Sequence, residues 1–420
     1  GRQHHGGARR MTTAVIGAGA VGIACAISLV ERGERVEVFD PDPPAAGASH
    51  GNAGVISTWT CVPQSLPGVW RNIPRWLLDP QGPLRVRPSY ALKFLPWALR
   101  FLSAGRASGL DRIGDAMMAL SRPSLDLYRR NLAGTGHEHL VRDTLYLHVH
   151  KRREDIDLDA APWRLRRDRK VPMEIVEGED LRRLEPALSR DYRAAVVLSD
   201  HGRARDPGAV GRAIAEKAAA LGVTFHRKPV DRLTPGTEGW TLHSAGESHR
   251  AETVILAAGV WSTRLLEPLG IRIPLEAERG YHCVLKNPGF EIDNSIMDVP
   301  GKFVASSMEM GVRCAGTAEF AGIEAAPDMR RAKVLQTQAK RLFPEINAAE
   351  PDYWMGRRPS LPDSLPAIGP VPGHPGLICA FGHAHYGFGM APMTGEVVAG
   401  LVTNQPSNLD LAPYAPGRFA

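Results

Sequence analysis

Cysteine is scarce in this sequence of 420 residues, and what there is shows no pattern. Cys25, Cys61, Cys283, Cys314 and Cys379 are scattered, odd in number, and never form a C-x-x-C pair. That excludes a disulfide framework and argues against a thiolate zinc or iron–sulfur site; a reducing, cytoplasmic compartment fits best. Long hydrophobic runs are missing too: away from the glycine-interrupted stretch that begins at Met11, no apolar run reaches the ~18 residues of a membrane span. Segregated charge is the third absence. The net charge is +6, but basic residues alternate with acids, as in "RREDIDLDAAPWRLRRDRK" (152–170). A run of that kind reads as a solvated face, and charge alone makes nucleic acid an unlikely partner.

The first 30 residues imitate a signal peptide, with "GRQHHGGARR" before the apolar stretch "MTTAVIGAGAVGIACAISLV". Regularly spaced glycines inside that stretch, and its continuation into "ERGERVEVFD", argue otherwise. Residues 1–10 read as an upstream extension and Met11 as the natural start. With 43% hydrophobic and 23% charged residues the chain is a folded protein. Its length calls for two domains.

"TAVIGAGAVGIACAISLVERGERVEVFD" (13–40) has the order strand, glycine turn, helix, strand. Gly17, Gly19 and Gly22 satisfy G-x-G-x-x-G: a tight turn, close backbone approach to a pyrophosphate, and close helix–strand packing. A helix from about Val21 to Arg32, ended by Gly33, would direct its positive end at the phosphates. Asp40, at the tip of the second strand, suits a ribose diol and would repel a 2′-phosphate. The chain then enters "PDPPAAGASHGNAGVIS" (41–57), where Ser49 and Asn52 sit in a small-residue loop suited to a pyrophosphate and a flavin ring. An NAD dehydrogenase would instead continue with alternating β and α units.

Further along, Asp206 and Pro207 open a helix as N-cap and first residue, and it ends near Gly222 before the strand "VTFHRKPV" (223–230). "TVIL" (253–256) reads as a strand buried on both faces. Segment 177–188 and segment 328–346 read as helices, 144–150 as a strand, and strands run from 271 to about 317. Segment 67–106, rich in Pro, Trp and Arg, is amphipathic: core packing, a surface helix pair or peripheral membrane contact all fit it. The β-α-β character recurs at 206–260 and after 376, so the cofactor domain is expected to be discontinuous. His383 and His385, in "FGHAHYGFGMAPMTGEVV" (381–398), have no acidic or cysteine partner in either flanking turn, which argues against a metal site.

Four blocks together carry a family resemblance: "VIGAGAVGIACAISLVERGERVEVFD", "ASHGNAGVIS", "VILAAGVWS", and "GRRPSLPDSLPAIGPVPGHPGLICAFGHAHYGFGMAPMTGEVVAGL". The chain resembles the FAD-dependent D-amino acid oxidase/dehydrogenase superfamily, most closely its bacterial D-amino acid dehydrogenase-like branch. The resemblance implies an α/β fold with a Rossmann-like FAD domain (11–58, 190–270 and 350–420). A mixed-sheet, α+β substrate domain (59–189 and 271–349) would complete it. Carried over residue by residue, Ser49, Asn52, Ala53 and Gly54 would lie along the pyrophosphate and flavin. Val230 would pair its backbone with adenine, and Ala258 and Gly259 would approach the middle of the dinucleotide. Gly387, Phe388 and Gly389 would open the last helix towards the flavin.

Arg358 matches the arginine of G-x-R-P that clamps the substrate carboxylate, with Arg357 beside it as the alternative. Tyr386 matches the aromatic of G-H-x-x-Y-G. His50 departs from the pattern, but its position does not coincide with the flavin-attaching histidine of some relatives, so non-covalent FAD is expected. Tyr281 and His282 give the substrate site a polar wall. The implied reaction moves a hydride from the Cα of a D-amino acid, or of a cyclic or N-substituted one such as a hydroxy-D-proline, to flavin N5. His282, His385 or water would accept the amine proton. The electron acceptor would be a quinone, a carrier or oxygen. A tRNA-modifying amine oxidase module and a flavin-binding subunit of a heteromeric dehydrogenase are the alternatives.

Overall fold

The computed structural model describes residues 12–405 and 408–420, so the upstream extension 1–10 and the start at Met11 lie outside the described residues. The strand Thr12–Ile16 is buried at every position after the first. It pairs in parallel with Arg35–Phe39 on one side and Thr253–Leu256 on the other. Apolar runs with no polar face suit strands covered on both sides. The full sheet has six strands: Ala367–Pro370, Leu377–Phe381, Thr253–Leu256, Thr12–Ile16, Arg35–Phe39 and Thr224–His226. Only the edge strand Ala367–Pro370 is antiparallel to its neighbour.

The helix Ala20–Glu31 packs against the last helix, Gly387–Val402, so closely that a Cβ at Gly395 would lie 2.4 Å from the Ala24 carbonyl oxygen. Glu396 fixes the crossing by accepting from Ser28 Oγ at 3.0 Å and Arg32 Nη2 at 2.7 Å. The helix Pro207–Ala220 begins as its sequence predicts, with the Asp206 carboxylate accepting from Ala209 N at 2.9 Å. The strand after it is shorter than 223–230. Pairing stops at His226 because the neighbouring strand ends at Phe39 and Pro229 has no amide hydrogen to offer.

A second, ten-stranded mixed sheet holds Glu276–Leu285 between Pro351–Ser360 and Gly311–Phe320. Three of its strands, Val55–Ser57, Ala194–Ala204 and Pro351–Ser360, lie in segments that the sequence reading gives to the cofactor domain. Each stands next to a point where the chain passes from one sheet to the other.

Segment 67–106 forms the helices Ile73–Leu78 and Ala91–Ala104. The second helix has two apolar faces. Phe94, Trp97 and Phe101 stack on one another along one of them, and Phe94 and Trp97 also meet Phe320. Leu92, Leu95 and Leu99 form the other and are 87%, 50% and 59% exposed. No described helix is long and apolar enough to cross a membrane.

Candidate active site

A cavity of about 1490 Å³ is lined by both sheets and by the N-termini of two helices. At one end it meets the glycine turn. Gly17 has φ +110°, and a Cβ there would stand 2.2 Å from the Ala257 carbonyl oxygen. Gly22 lies outside the lining; it serves packing, since a Cβ would sit 1.9 Å from Gly17 O. The helix behind it, Ala20–Glu31, is preceded by Gly19, whose missing side chain leaves part of the N-terminus open to a ligand. Ser49 Oγ accepts from Ala20 N at 2.9 Å and ties the second loop to that helix end.

Asp40 lines the cavity with both carboxylate oxygens anchored: Oδ2 accepts from Ala18 N at 2.7 Å and Oδ1 from Asp42 N at 2.8 Å. Burial pushes its pKa up, against the pull of these two amides. Asn52 shapes the second loop, donating to Ser49 O and accepting from Gly54 N, each at 2.7 Å. Beneath it the buried Arg313 donates to the carbonyls of His50 at 3.0 Å and Asn52 at 2.9 Å. Desolvation lowers that guanidinium to about 10.

Ala53, Gly54, Val230, Ala258 and Gly259 line the same cavity. So do Gly387, Phe388 and Gly389, the first turn of the last helix, which no side chain caps. Two uncapped helix ends, glycines with no room for a Cβ, and an anchored acid at the strand tip together fit FAD. His50 is not part of the lining; a Cβ added at Gly208 would meet its Nδ1 at 2.8 Å.

The other end of the cavity is built around a residue that sequence reasoning missed. Glu278 is 3% exposed in a strand buried at every position. It binds Arg358 Nη1 at 3.1 Å, Ser360 Oγ at 2.8 Å and His385 Nε2. Burial would raise its carboxyl, but His385, Arg358 and Ser360 outweigh burial and hold it well below the usual carboxylate range. Its signal in the sequence was an acid placed mid-strand, which a buried strand carries only if the charge is paired.

Arg358 also donates to Thr317 O at 3.0 Å and lies over Gly280, where a Cβ would come 2.1 Å from Nη2. Arg357 lines the cavity too, but its Nε donates to Ile323 O at 2.7 Å and its Cζ lies 6.0 Å from the Trp261 ring centre. Tyr386 hydrogen-bonds Val62 O at 3.0 Å through its hydroxyl, and burial pushes that phenol up. Tyr281 is in the lining, yet its hydroxyl is committed to Glu319 at 2.5 Å and accepts from Asp328 N at 3.0 Å.

His282 stands outside the lining. It is buried, pairs Nδ1 with Gly51 O at 2.9 Å, and stacks on Trp354 at 5.0 Å; burial pushes its pKa down to about 3. Trp354, also unforeseen, lines the cavity in a slot that only glycines allow. A Cβ at Gly51 or Gly356 would reach its ring at 2.0 or 2.2 Å. His383 and His385 diverge, the first pairing with Thr394 Oγ1 at 3.0 Å and the second with Glu278.

The family model described as FAD dependent oxidoreductase matches residues 12–401. A D-amino-acid oxidase of Bradyrhizobium diazoefficiens is 36% identical over 414 residues, covering 97% of this chain and 98% of that protein. A D-amino acid dehydrogenase of Sinorhizobium medicae is 30% identical, covering 97% and 100%. Among solved structures, glycine oxidase from Bacillus cereus superposes with a TM-score of 0.75 at 18% identity, covering 97% of this chain and 99% of that one. Iminodiacetate oxidase from Chelativorans gives 0.73 at 21% identity, covering 96% and 98%.

Two outcomes follow from this geometry. Gly280→Ala forces Arg358 aside while leaving the cofactor cradle intact. FAD content should stay at one per chain while KM for the carboxylate substrate rises about tenfold or more, one charge-assisted hydrogen bond being worth ~1.5–3 kcal/mol. An unchanged KM would show that Arg358 does not meet substrate. The second concerns acid. Burial holds His201 near 4 and His282 and His383 near 3, all below the ordinary 6.5. Protonation therefore favours the unfolded chain. Stability should be level above about pH 6.5 and fall as pH drops towards 4, each histidine costing up to ~1.4 kcal/mol per pH unit. Melting temperature against pH, at saturating FAD, reads this directly; a flat profile from 7 to 4 would contradict it.

Proposed function

The chain belongs to the family of FAD-dependent oxidoreductases, and on that premise we propose that it oxidises an amino acid, either a D-amino acid or a cyclic or N-substituted one, to its imine. One observation carries the reading. Arg358 is anchored by a buried carboxylate, over a glycine, in the cavity that holds the dinucleotide cradle. The curated relatives named D-amino-acid oxidase and D-amino acid dehydrogenase support the substrate class.

Bound FAD supplies the two-electron acceptor for the hydride that leaves Cα. Arg358 holds the substrate carboxylate with the free edge of its guanidinium, since Nη1 is already engaged by Glu278 and Thr317. Glu278 keeps that fork in one rotamer, so the substrate is oriented before reaction rather than during it. The N-terminal turn at Gly387–Gly389, uncapped and lining the cavity, would offer its amides and positive dipole end to a bound flavin. Gly17, Gly19, Ser49, Asn52, Ala53, Gly54, Val230, Ala258 and Gly259 would hold the dinucleotide, with Asp40 placed to meet its ribose. Tyr386 walls the substrate pocket. His385, whose Nε2 faces Glu278, has Nδ1 left to take the proton of the substrate amine, and water is the other route. His282, sealed under Trp354, acts through packing.

The electron acceptor is a quinone or membrane-borne carrier rather than oxygen, a reading supported by the surface at 67–106. Leu92, Leu95 and Leu99 are exposed there, the same segment carries Arg71, Arg75, Lys93 and Arg100, and Asp79 is its single acid. Leu95 also lines the cavity, so the apolar surface leads to the site.

Anaerobic mixing with a panel of D-, L- and N-substituted amino acids should bleach the oxidised flavin band for at least one class. Arg358→Ala should raise KM by orders of magnitude with FAD retained. No bleaching by any member would end the proposal. Cosedimentation with vesicles of anionic and neutral lipid tests the surface: binding to the anionic ones alone, lost in Leu92→Ser/Leu99→Ser, is expected. Failure to bind either kind would remove the membrane contact.

A further inference from the structure

Arg166 stands in the helix Ala161–Asp168, and its neighbours use up the local acids. Arg167 pairs with Asp159 at 3.1 Å, and Arg169 with Asp115 at 2.8 Å. Arg166 turns the other way and lines the cavity that holds Arg358 and the last helix's first turn. Desolvation lowers its pKa, and the groups that act on its charge are Cys61, Tyr146 and Tyr386, with no carboxylate among them. Its guanidinium has Nη1 3.3 Å from Pro162 O and lies 4.7 Å over the Trp163 ring.

His148, also in the lining, is kept neutral by burial and by Arg166 itself, so it leaves the guanidinium's charge unbalanced. The surroundings are otherwise apolar: Cys61, Trp163 and Leu198 belong to one buried cluster. Arg166 is half-buried and, among the described residues, has no carboxylate within salt-bridge distance, so its charge is open to an anionic ligand in the cavity. Arg358 differs, since Glu278 already neutralises it. Both centres act on the Tyr386 hydroxyl, Glu278 raising its pKa and Arg166 lowering it.

We propose that Arg166 is a second anion-binding residue of the substrate pocket. It takes an acid group on the side chain or nitrogen substituent, so the preferred substrates are amino acids carrying two carboxylates. This rests on the amino-acid oxidation proposed above, with Arg358 holding the carboxylate next to the reacting carbon. It adds a specificity that the family membership does not carry.

The test compares kcat/KM of the FAD-loaded enzyme for dicarboxylates (D-aspartate, D-glutamate, N-carboxymethylglycine) with that for neutral analogues of similar size (D-alanine, D-norvaline, N-ethylglycine). The wild type should favour the dicarboxylates. Arg166→Gln should reduce the ratio of the two about a hundredfold, the size of a lost bidentate charge-assisted contact, and Arg166→Lys should recover part of it. FAD content and melting temperature report that each variant is folded. As a binding readout free of turnover, glutarate should raise the wild-type melting temperature more than butyrate does, and that difference should vanish in Arg166→Gln.

A wild type that prefers the neutral set, or an Arg166→Gln ratio equal to the wild type's, would overturn the proposal while leaving amino-acid oxidation standing. Equal loss on both sets would also overturn it, by moving Arg166 to the shared carboxylate. Reduction by no amino acid of either set is a different result and would overturn the amino-acid reading itself.

Discussion

The ion cluster around Glu278 organises the end of the cavity away from the glycine turn. One buried carboxylate binds groups from three separate parts of the chain: Arg358 and Ser360 from the neighbouring strand, His385 from the loop that opens the last helix, and Gln64 from the segment after the first strands. An isolated ionised carboxylate in that position would be prohibitively costly, so its partners are a condition of its burial and not an addition to it. Ser360 also bridges to His383 through the backbone, drawing strand and loop together at the same point. The larger sheet is thereby tied to the helix whose other end crosses the cradle helix at Gly395. The Arg358 cluster and the glycine turn are thus joined through one helix.

What the sequence disclosed depended on how local the physics was. The cradle was legible because its requirements lie within one short segment: glycines at fixed offsets, a strand before them, a helix after, and Asp40 at the next strand tip. The cap at Asp206 was legible for the same reason. Glu278 and Trp354 were not, since both take their meaning from residues far away in the chain. Glu278 looks like any strand acid until Arg358 and His385 arrive, and Gly51 looks like a loop glycine until Trp354 fills the space its side chain would need. His282 was misread in the same way. Sequence placed it beside Tyr281 on a candidate wall, but successive residues of a strand face opposite sides, and the ring went under Trp354.

Segment 67–106 joins an inward aromatic stack to an outward row of leucines on one short helix. Amphipathic pattern alone could not separate the two, because both faces are apolar and helical spacing says only that they differ. The inner face packs on Phe320 of the larger sheet, so the outer face is presented at a fixed angle and not on a loose arm.

The central strand of the smaller sheet, Thr12–Ile16, carries a cost in time. One of its two partners, Arg35–Phe39, follows within a few dozen residues, but the other, Thr253–Leu256, comes only after more than half the chain, and Leu377–Phe381 later still. A dinucleotide motif at the beginning of a protein looks like something that could form as soon as it is made. Here Gly17 packs against the Ala257 carbonyl, so its turn has no wall until residue 257 exists. At synthesis rates of ~5–20 residues per second, the apolar strand waits on the order of ten seconds or more for its partner. During that wait it offers an unpaired edge to any other strand, and chaperone engagement of the nascent chain is a natural consequence of where the glycine motif sits.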